Sequence, residues 1–234
     1  MIQKHILLTG SSRGIGAGIA EALDEEHIRL VGHGTNSGIA ADFTDAGAPE
    51  SLWERALERL GGRIDVLINN AGIFEPSPLD QPHADWVADW ERTMQVNLTA
   101  SAQLCRLAVR HWQQQGTTGR IVNVASRAAY RGDSPAHWHY AASKAGMVAM
   151  TKTIARAYSG EGILAFAICP GYVMTGMADE YLESRGGEKL LADIPLGRVA
   201  DVAEIATIAR FLALEAPDSM TGAVIDANGA SFVR

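Results

Sequence analysis

Tyr140-Ala141-Ala142-Ser143-Lys144 is the stretch of this sequence best suited to moving a proton. If it opens a helix, residues four apart share a face, and a phenol comes to lie beside an ammonium. A free tyrosine, with a pKa of roughly 10, exchanges protons poorly at neutral pH. A cation nearby favours the phenolate and lowers that pKa, which suits general acid–base work. The pair alone also fits the surface of an ordinary helix. Its weight comes from the other groups strung along the chain.

The elements that must position this pair alternate in type. Residues 5–9 read as a short buried strand that runs into Gly10-Ser11-Ser12-Arg13-Gly14-Ile15-Gly16. A helical pattern follows to about Asp24, with Ile15, Ile19, Ala22 and Leu23 on one face. Strand, glycine turn and helix together let a backbone approach a pyrophosphate at a helix N-terminus. The NTPase type of loop needs Gly-Lys-Ser/Thr, and none is present. The spacing is Gly-x-x-x-Gly-x-Gly rather than Gly-x-Gly-x-x-Gly, so glycines used only for turning stay open at this point.

Residues 28–32 form the next strand, and His33-Gly34-Thr35-Asn36-Ser37-Gly38 leads to a short one ending near Ala41, before Asp42-Phe43-Thr44. Too few residues separate the two for a crossover helix, so a reduced turn must join them. A helix over residues 49–60 precedes an apolar strand, 64–68, that stops at Asn69-Asn70-Ala71-Gly72. Side-chain amides at a strand's C-terminal end sit where open α/β sheets bind ligands. Asn97 falls inside a long helical region, 85–112. Strand 120–125 ends at Ser126, and strand 164–169 is stopped by Pro170-Gly171. Residues 172–195, with Gly186-Gly187, read as a substrate lid. An amphipathic helix over 202–214 and a last strand at 223–226 complete a single doubly wound α/β domain, residues 1–234, with a mostly parallel sheet.

Composition narrows the function. A formal charge of −7 argues against nucleic acid or an anionic membrane as the main partner. Two cysteines, Cys105 and Cys169, give no disulfide framework and fit a reducing compartment. No apolar run has the length of a signal peptide or a membrane span, so a cytoplasmic protein is expected. His137 and His139 lack an acid or cysteine cluster at ligand spacing and read as pocket lining rather than metal ligands.

With Thr9-Gly10-x-x-x-Gly14-x-Gly16, Asn69-Asn70-Ala71-Gly72, Asn97, Ser126, Tyr140-x-x-x-Lys144 and Pro170-Gly171 in this order, the chain resembles a short-chain dehydrogenase/reductase over essentially its whole length. The resemblance implies a seven-stranded Rossmann-like sheet and a nicotinamide cofactor. It implies that Tyr140 exchanges a proton with a carbonyl or alcohol oxygen, that Ser126 holds that oxygen, and that Lys144 lowers the tyrosine pKa and grips the nicotinamide ribose. Asn97 would keep a water connected to Lys144. Gly10, Ser12, Arg13, Gly14, Ile15 and Gly16 would cradle the cofactor phosphates. Thr35, Asn36, Asp42, Phe43, Asn70, Ala71 and Gly72 would line its adenine side and middle, with Asp42 on the adenine. Pro170, Gly171, Val173 and Thr175 would hold the carboxamide end.

Departures from the family pattern are the short second crossover, fourteen positions between Ser126 and Tyr140, Phe166 where an Asn is usual, and no acid at the end of the second strand. The last favours NADP(H) over NAD(H), with Arg13, Thr35 and Asn36 as candidate phosphate partners. Retention of Tyr140 and Lys144 favours an enzyme over a silent nucleotide sensor. The substrate is expected to be a small carbonyl or alcohol, with a 3-oxoacyl-carrier-protein reductase as the alternative. Dependence on acyl carrier protein is not expected, because residues 113–118 and 158–161 lack the arginines that usually receive an acidic carrier. The family resemblance implies a homo-oligomer, dimer or tetramer.

Overall fold

The computed structural model describes residues 3–175 and 187–234. β1 (Lys4–Leu8) leads through the glycine turn into α1 (Gly14–Ala22), followed by β2 (Ile28–Gly34), β3 (Ile39–Ala40), α2 (Ala48–Arg59) and β4 (Val66–Asn69). α3 (His83–Met94) passes through a π-helical turn (Gln95–Thr99) into α4 (Ala100–Gln115), so residues 83–115 are helical without a break. β5 (Gly119–Val124), the single turn α5 (Ala128–Arg131), the long α6 (Trp138–Tyr158) and β6 (Ile163–Pro170) come next. β7 (Val173–Met174), α7 (Gly187–Ala192), β8 (Ala200–Asp201), α8 (Val202–Leu214) and β9 (Val224–Ala227) complete the described chain.

Seven strands make one sheet in the order β3-β2-β1-β4-β5-β6-β9, with every neighbouring pair parallel. A parallel sheet needs both faces covered, so its strands are apolar throughout. All eight residues of β6 are buried. Alternation divides the side chains between two cores. Leu7, Leu67 and Ile121 pack with Leu52, Trp53, Leu104 and Trp112 of α2 and α4. Ile6, Leu8, Val66, Val122 and Phe166 pack with Ile19, Leu23, Ile205 and Leu212 of α1 and α8. The doubly wound architecture expected from the sequence is the one formed. Phe166, in place of the usual Asn, is a fully buried core ring.

The reduced second crossover is also as expected. Residues 35–38 alone connect β2 to β3, which pairs over only two residues, His33 with Ile39 and Gly34 with Ala40. Gly38 sits at φ +64°, and a Cβ there would lie 2.2 Å from the Gly32 carbonyl oxygen. Of the expected lid, 172–195, the described parts are β7, α7 and the segment to Pro195, and residues 176–186 lie outside the described residues.

α6 is fastened to the sheet by a buried polar chain. Asn69 Nδ2 donates to Asn123 Oδ1 at 2.9 Å, Asn123 Nδ2 donates to Thr151 Oγ1 at 2.8 Å, and Thr151 donates to the Met147 carbonyl at 2.8 Å. Buried amides linked in this way favour one register of helix on sheet. That register sets where Tyr140 and Lys144 emerge.

Candidate active site

The glycine turn is built by its neighbours. Thr9 Oγ1 accepts the backbone N–H groups of Asn70 and Ala71, each at 3.0 Å, which ties the ends of β1 and β4 together. Asn70 Nδ2 donates to the carbonyls of Thr9 and Gly10 at 3.1 and 2.9 Å. Its amide therefore shapes the turn instead of reaching outward. A Cβ on Gly10 would meet Ala71 Cα at 2.8 Å, and one on Gly16 would meet the Gly10 oxygen at 1.9 Å. These two glycines are required for the turn and helix to close on each other.

The first backbone N–H groups of α1, on Gly14, Ile15 and Gly16, lie beyond the reach of the helical ladder, and no side chain caps this end. Open donors at a helix start fit the pyrophosphate of a dinucleotide. Ser12 and Arg13 are exposed beside them. Thr175 lies across the turn, with its Cγ2 3.1 Å from where a Gly14 Cβ would stand. Val173 is buried in β7, and Gly171 donates to the Ala227 carbonyl at 3.0 Å, holding Pro170-Gly171 against β9.

His33, at the end of β2, is a residue whose part the sequence did not disclose. Its Nδ1 accepts the Gly10 N–H at 3.2 Å, and its Nε2 lies 3.0 Å from the Ala41 carbonyl. A carbonyl only accepts, so Nε2 carries the proton and the ring is neutral. Burial pushes its pKa below the ordinary value. Phe43 stacks on it at 4.3 Å and its ring is buried in the core. Asp42 is exposed, and its carboxylate accepts Thr44 N–H and Oγ1–H at 3.0 and 2.9 Å. Thr35 and Asn36 are exposed on the turn.

At the C-terminal end of β5, Ser126 neighbours the Tyr140 phenol, and its Oγ accepts the Ala128 N–H at 3.1 Å. Lys144 is buried, with Nζ donating to the Val124 carbonyl at 2.9 Å and standing 5.8 Å from the Tyr140 ring centroid. Asn97 is fully buried in the π-turn, a distortion frequent at functional sites. Its Oδ1 accepts Ile73 N–H at 2.8 Å and its Nδ2 donates to the Ile73 carbonyl at 3.0 Å. A Cβ on Gly72 would stand 3.2 Å from Asn97 Oδ1 and 3.5 Å from Lys144 Nζ, so all three meet there. Ser126, Tyr140, Lys144 and Asn97 thus converge on one end of the sheet, where α/β folds bind ligands.

The electrostatics differ from the sequence expectation. Burial raises the Tyr140 phenol to about 12, with the neighbouring Ser126 hydroxyl opposing the rise. Burial lowers Lys144 to about 8. Desolvation disfavours the phenolate, so the phenol is held in its protonated form.

Phe74, exposed, stacks on His137 at 4.0 Å and meets Tyr140 edge-on at 4.7 Å, forming an aromatic wall beside the phenol. Among the described residues, no group of three or more His, Cys, Asp or Glu is assembled. A cavity of about 710 Å³ lined by Leu23, Asp24, Ile28 and Leu60 lies at the opposite end of the strands and takes no part in this arrangement.

Glycine turn, open helix N-terminus and tyrosine–lysine–serine cluster define a dinucleotide-dependent oxidoreductase site on a doubly wound sheet. Residues 10–229 match the family model described as enoyl-(acyl carrier protein) reductase. The chain is 31% identical over 245 residues to a 3-oxoacyl-[acyl-carrier-protein] reductase of Vibrio cholerae, covering 98% of both proteins. It is 34% identical over 239 residues to an acetoacetyl-CoA reductase of Shinella zoogloeoides, covering 97% of both. A 3-oxoacyl-[acyl-carrier-protein] reductase of Synechocystis is 32% identical over 243 residues, with 95% of this chain covered. The chain belongs to the short-chain dehydrogenase/reductase family and is an NAD(P)(H)-dependent oxidoreductase.

These relatives overturn the expectation that a carrier protein plays no part. Enzymes named for carrier-bound substrates match nearly the whole chain without the comparison resting on two surface turns. Rim charges set association rate more than affinity, so arginines missing from those turns do not exclude a carrier.

Proposed function

We propose that this enzyme reduces a carbonyl to a secondary alcohol, and can run in reverse, with Tyr140 as the general acid. A bound nicotinamide supplies the hydride. Tyr140 gives its proton to the carbonyl oxygen, and the Ser126 hydroxyl donates to the same oxygen as charge gathers there. Lys144 grips the ribose and adds a positive field behind the phenol, while Asn97 fixes the Gly72–Ile73 backbone beside it. The observation that carries this reading is the convergence of Tyr140, its neighbour Ser126, the buried Lys144 and Asn97 at the C-terminal end of the sheet. A phenol at about 12 stays protonated across neutral pH. Reduction should therefore be nearly flat there, whereas alcohol oxidation, which needs the phenolate, should rise with pH.

NADP(H) is the preferred cofactor in this reading. The end of β2 offers a neutral His33 where a carboxylate would repel a 2′-phosphate, and Arg13, Thr35 and Asn36 are exposed nearby. The same reading takes residues 1–234 as one cofactor-binding unit working in the cytoplasm as a homo-oligomer. No described helix is long and apolar enough to cross a membrane.

The test is a panel of ketones, aldehydes and alcohols followed by nicotinamide absorbance with both cofactors. Tyr140→Phe should lose roughly a hundred- to ten-thousand-fold in turnover while still binding cofactor. Near-normal turnover in that variant sinks the mechanism. A clear NADH preference, undiminished in Arg13→Ala, sinks the cofactor assignment. The relatives' names favour a second reading, in which the carbonyl belongs to a 3-oxoacyl thioester. The same acyl chain offered free, as a small thioester and on a carrier protein decides between them.

A further inference from the structure

We propose that Arg127 is an anion-binding residue of the substrate site, and that the substrate carries a carboxylate a few bonds from the carbonyl that is reduced. This rests on the carbonyl-reduction reading above. Arg127 follows Ser126 directly, and its backbone N–H donates to the Pro170 carbonyl at 2.9 Å. The residue therefore joins the two strand ends that frame the reacting group. Its guanidinium lies 4.5 Å above the ring of Tyr172, which follows Gly171.

The side chain is buried to nine-tenths, yet among the described residues Nη1 has no hydrogen-bond acceptor. The nearest carboxylate is Asp193, whose Oδ2 lies 3.5 Å from that nitrogen. The same oxygen accepts from Arg131 Nη1 at 2.5 Å. Two cations thus share one carboxylate, and the closer one takes its hydrogen bond. Arg127 keeps a shared, longer ion pair and a donor without a hydrogen bond. A buried guanidinium donor left unsatisfied is costly, and an apolar side chain of similar size would serve packing better. A planar fork of donors on the residue after Ser126, over the Tyr172 ring, matches a substrate carboxylate, which it can bind through two parallel hydrogen bonds. The carboxylate is only held. Hydride and proton go to the carbonyl carbon and oxygen.

The experiment compares 2-oxo, 3-oxo and 4-oxo acids with their methyl esters under saturating NADPH. For the preferred chain length, the acid should exceed its ester by at least about 30-fold in kcat/KM, the scale set by breaking one buried charge pair. Arg127→Met should collapse that ratio towards one, mainly by raising KM for the acid, and Arg127→Lys should restore part of it. Calorimetric titration with succinate and dimethyl succinate, which are not carbonyl substrates, reads the site without turnover. Succinate should bind the native protein and fail to bind Arg127→Met, with denaturant midpoints showing that the variant is folded. Esters turned over as well as acids, or succinate binding unchanged in Arg127→Met, would overturn the assignment of Arg127 alone. Succinate binding without turnover of any carbonyl would instead count against the carbonyl-reduction reading.

Discussion

Lys144 is a liability to the fold that the active site requires. Its pKa falls from 10.5 to about 8 on burial, and at about 1.4 kcal/mol per unit that is roughly 3 kcal/mol of strain on the charged form. The sign follows from the direction. The folded state resists protonating this amine, so the cost is absent above the unfolded pKa, grows as pH falls, and is complete below about 8. Lys144→Met should therefore gain stability relative to the native protein by roughly 2–3 kcal/mol as pH drops from 10.5 to 8, while losing activity. Denaturant unfolding of both proteins across that range measures it, and a pH-independent difference would refute the burial account. His33 behaves similarly at lower pH. Its Nδ1 must stay unprotonated to accept from Gly10, and its depressed pKa means that stability present above about 6.5 is lost as pH falls towards the folded value. His33→Gln can keep both hydrogen bonds without titrating, so it should flatten part of that acid loss and the matching loss of NADPH affinity. His111, His137 and His139 are also depressed by burial and should leave a residual slope.

The closure of α1 onto the glycine turn makes a sharper demand than any one contact in the core. A Cβ on Gly16 would lie 1.9 Å from the Gly10 oxygen and 2.5 Å from Asn70 Nδ2, and both neighbours are fixed by other bonds. Gly16→Ala should destabilise by roughly 1–3 kcal/mol and weaken cofactor binding as the helix start is displaced. Gly160→Ala, with open space around it and no positive φ, should change stability by less than about 0.5 kcal/mol. Equal melting of the two variants would mean that the turn is not closed in this way. These elements were legible in the sequence because strand length, glycine spacing and helical period are local properties. Helix 202–214 was read with the bounds it has. The tyrosine and lysine were picked out by their spacing together with the ordered motifs around them. What was not legible depends on partners distant in the chain. Asn70 bonds backward to Thr9 and Gly10, Phe43 turns inward onto His33, and burial reverses the expected direction of the Tyr140 shift. Arg127 was visible beside Ser126, but its missing acceptor exists only once Asp193 is committed to Arg131.

Across the whole molecule, the face of α6 opposite the sheet bears on whether the chain works alone. Ser143, Lys144, Met147, Val148 and Thr151 are buried beneath the helix. Gly146 is not free for a partner, because a Cβ there would meet Leu98 Cδ2 at 2.7 Å, so its smallness serves packing within the subunit. Ala141, Ala142 and Ala145 are partly exposed and Ala149 is exposed, forming a shallow strip on which a second helix could lie close. Trp138 stands at one end of the same helix, 54% exposed, a large ring to leave in water. A net charge of −7 opposes self-association only over distances that physiological salt screens to about 8 Å. The expected outcome is an assembly at micromolar concentration, with a light-scattering mass that is a multiple of 25.0 kDa and a melting temperature that rises with protein concentration. Ala149→Arg should lower that mass without harming the isolated subunit, because the position faces solvent and lies more than two turns from Tyr140. A monomeric native protein would refute the assembly, and a variant whose mass is unchanged would move the interface away from α6.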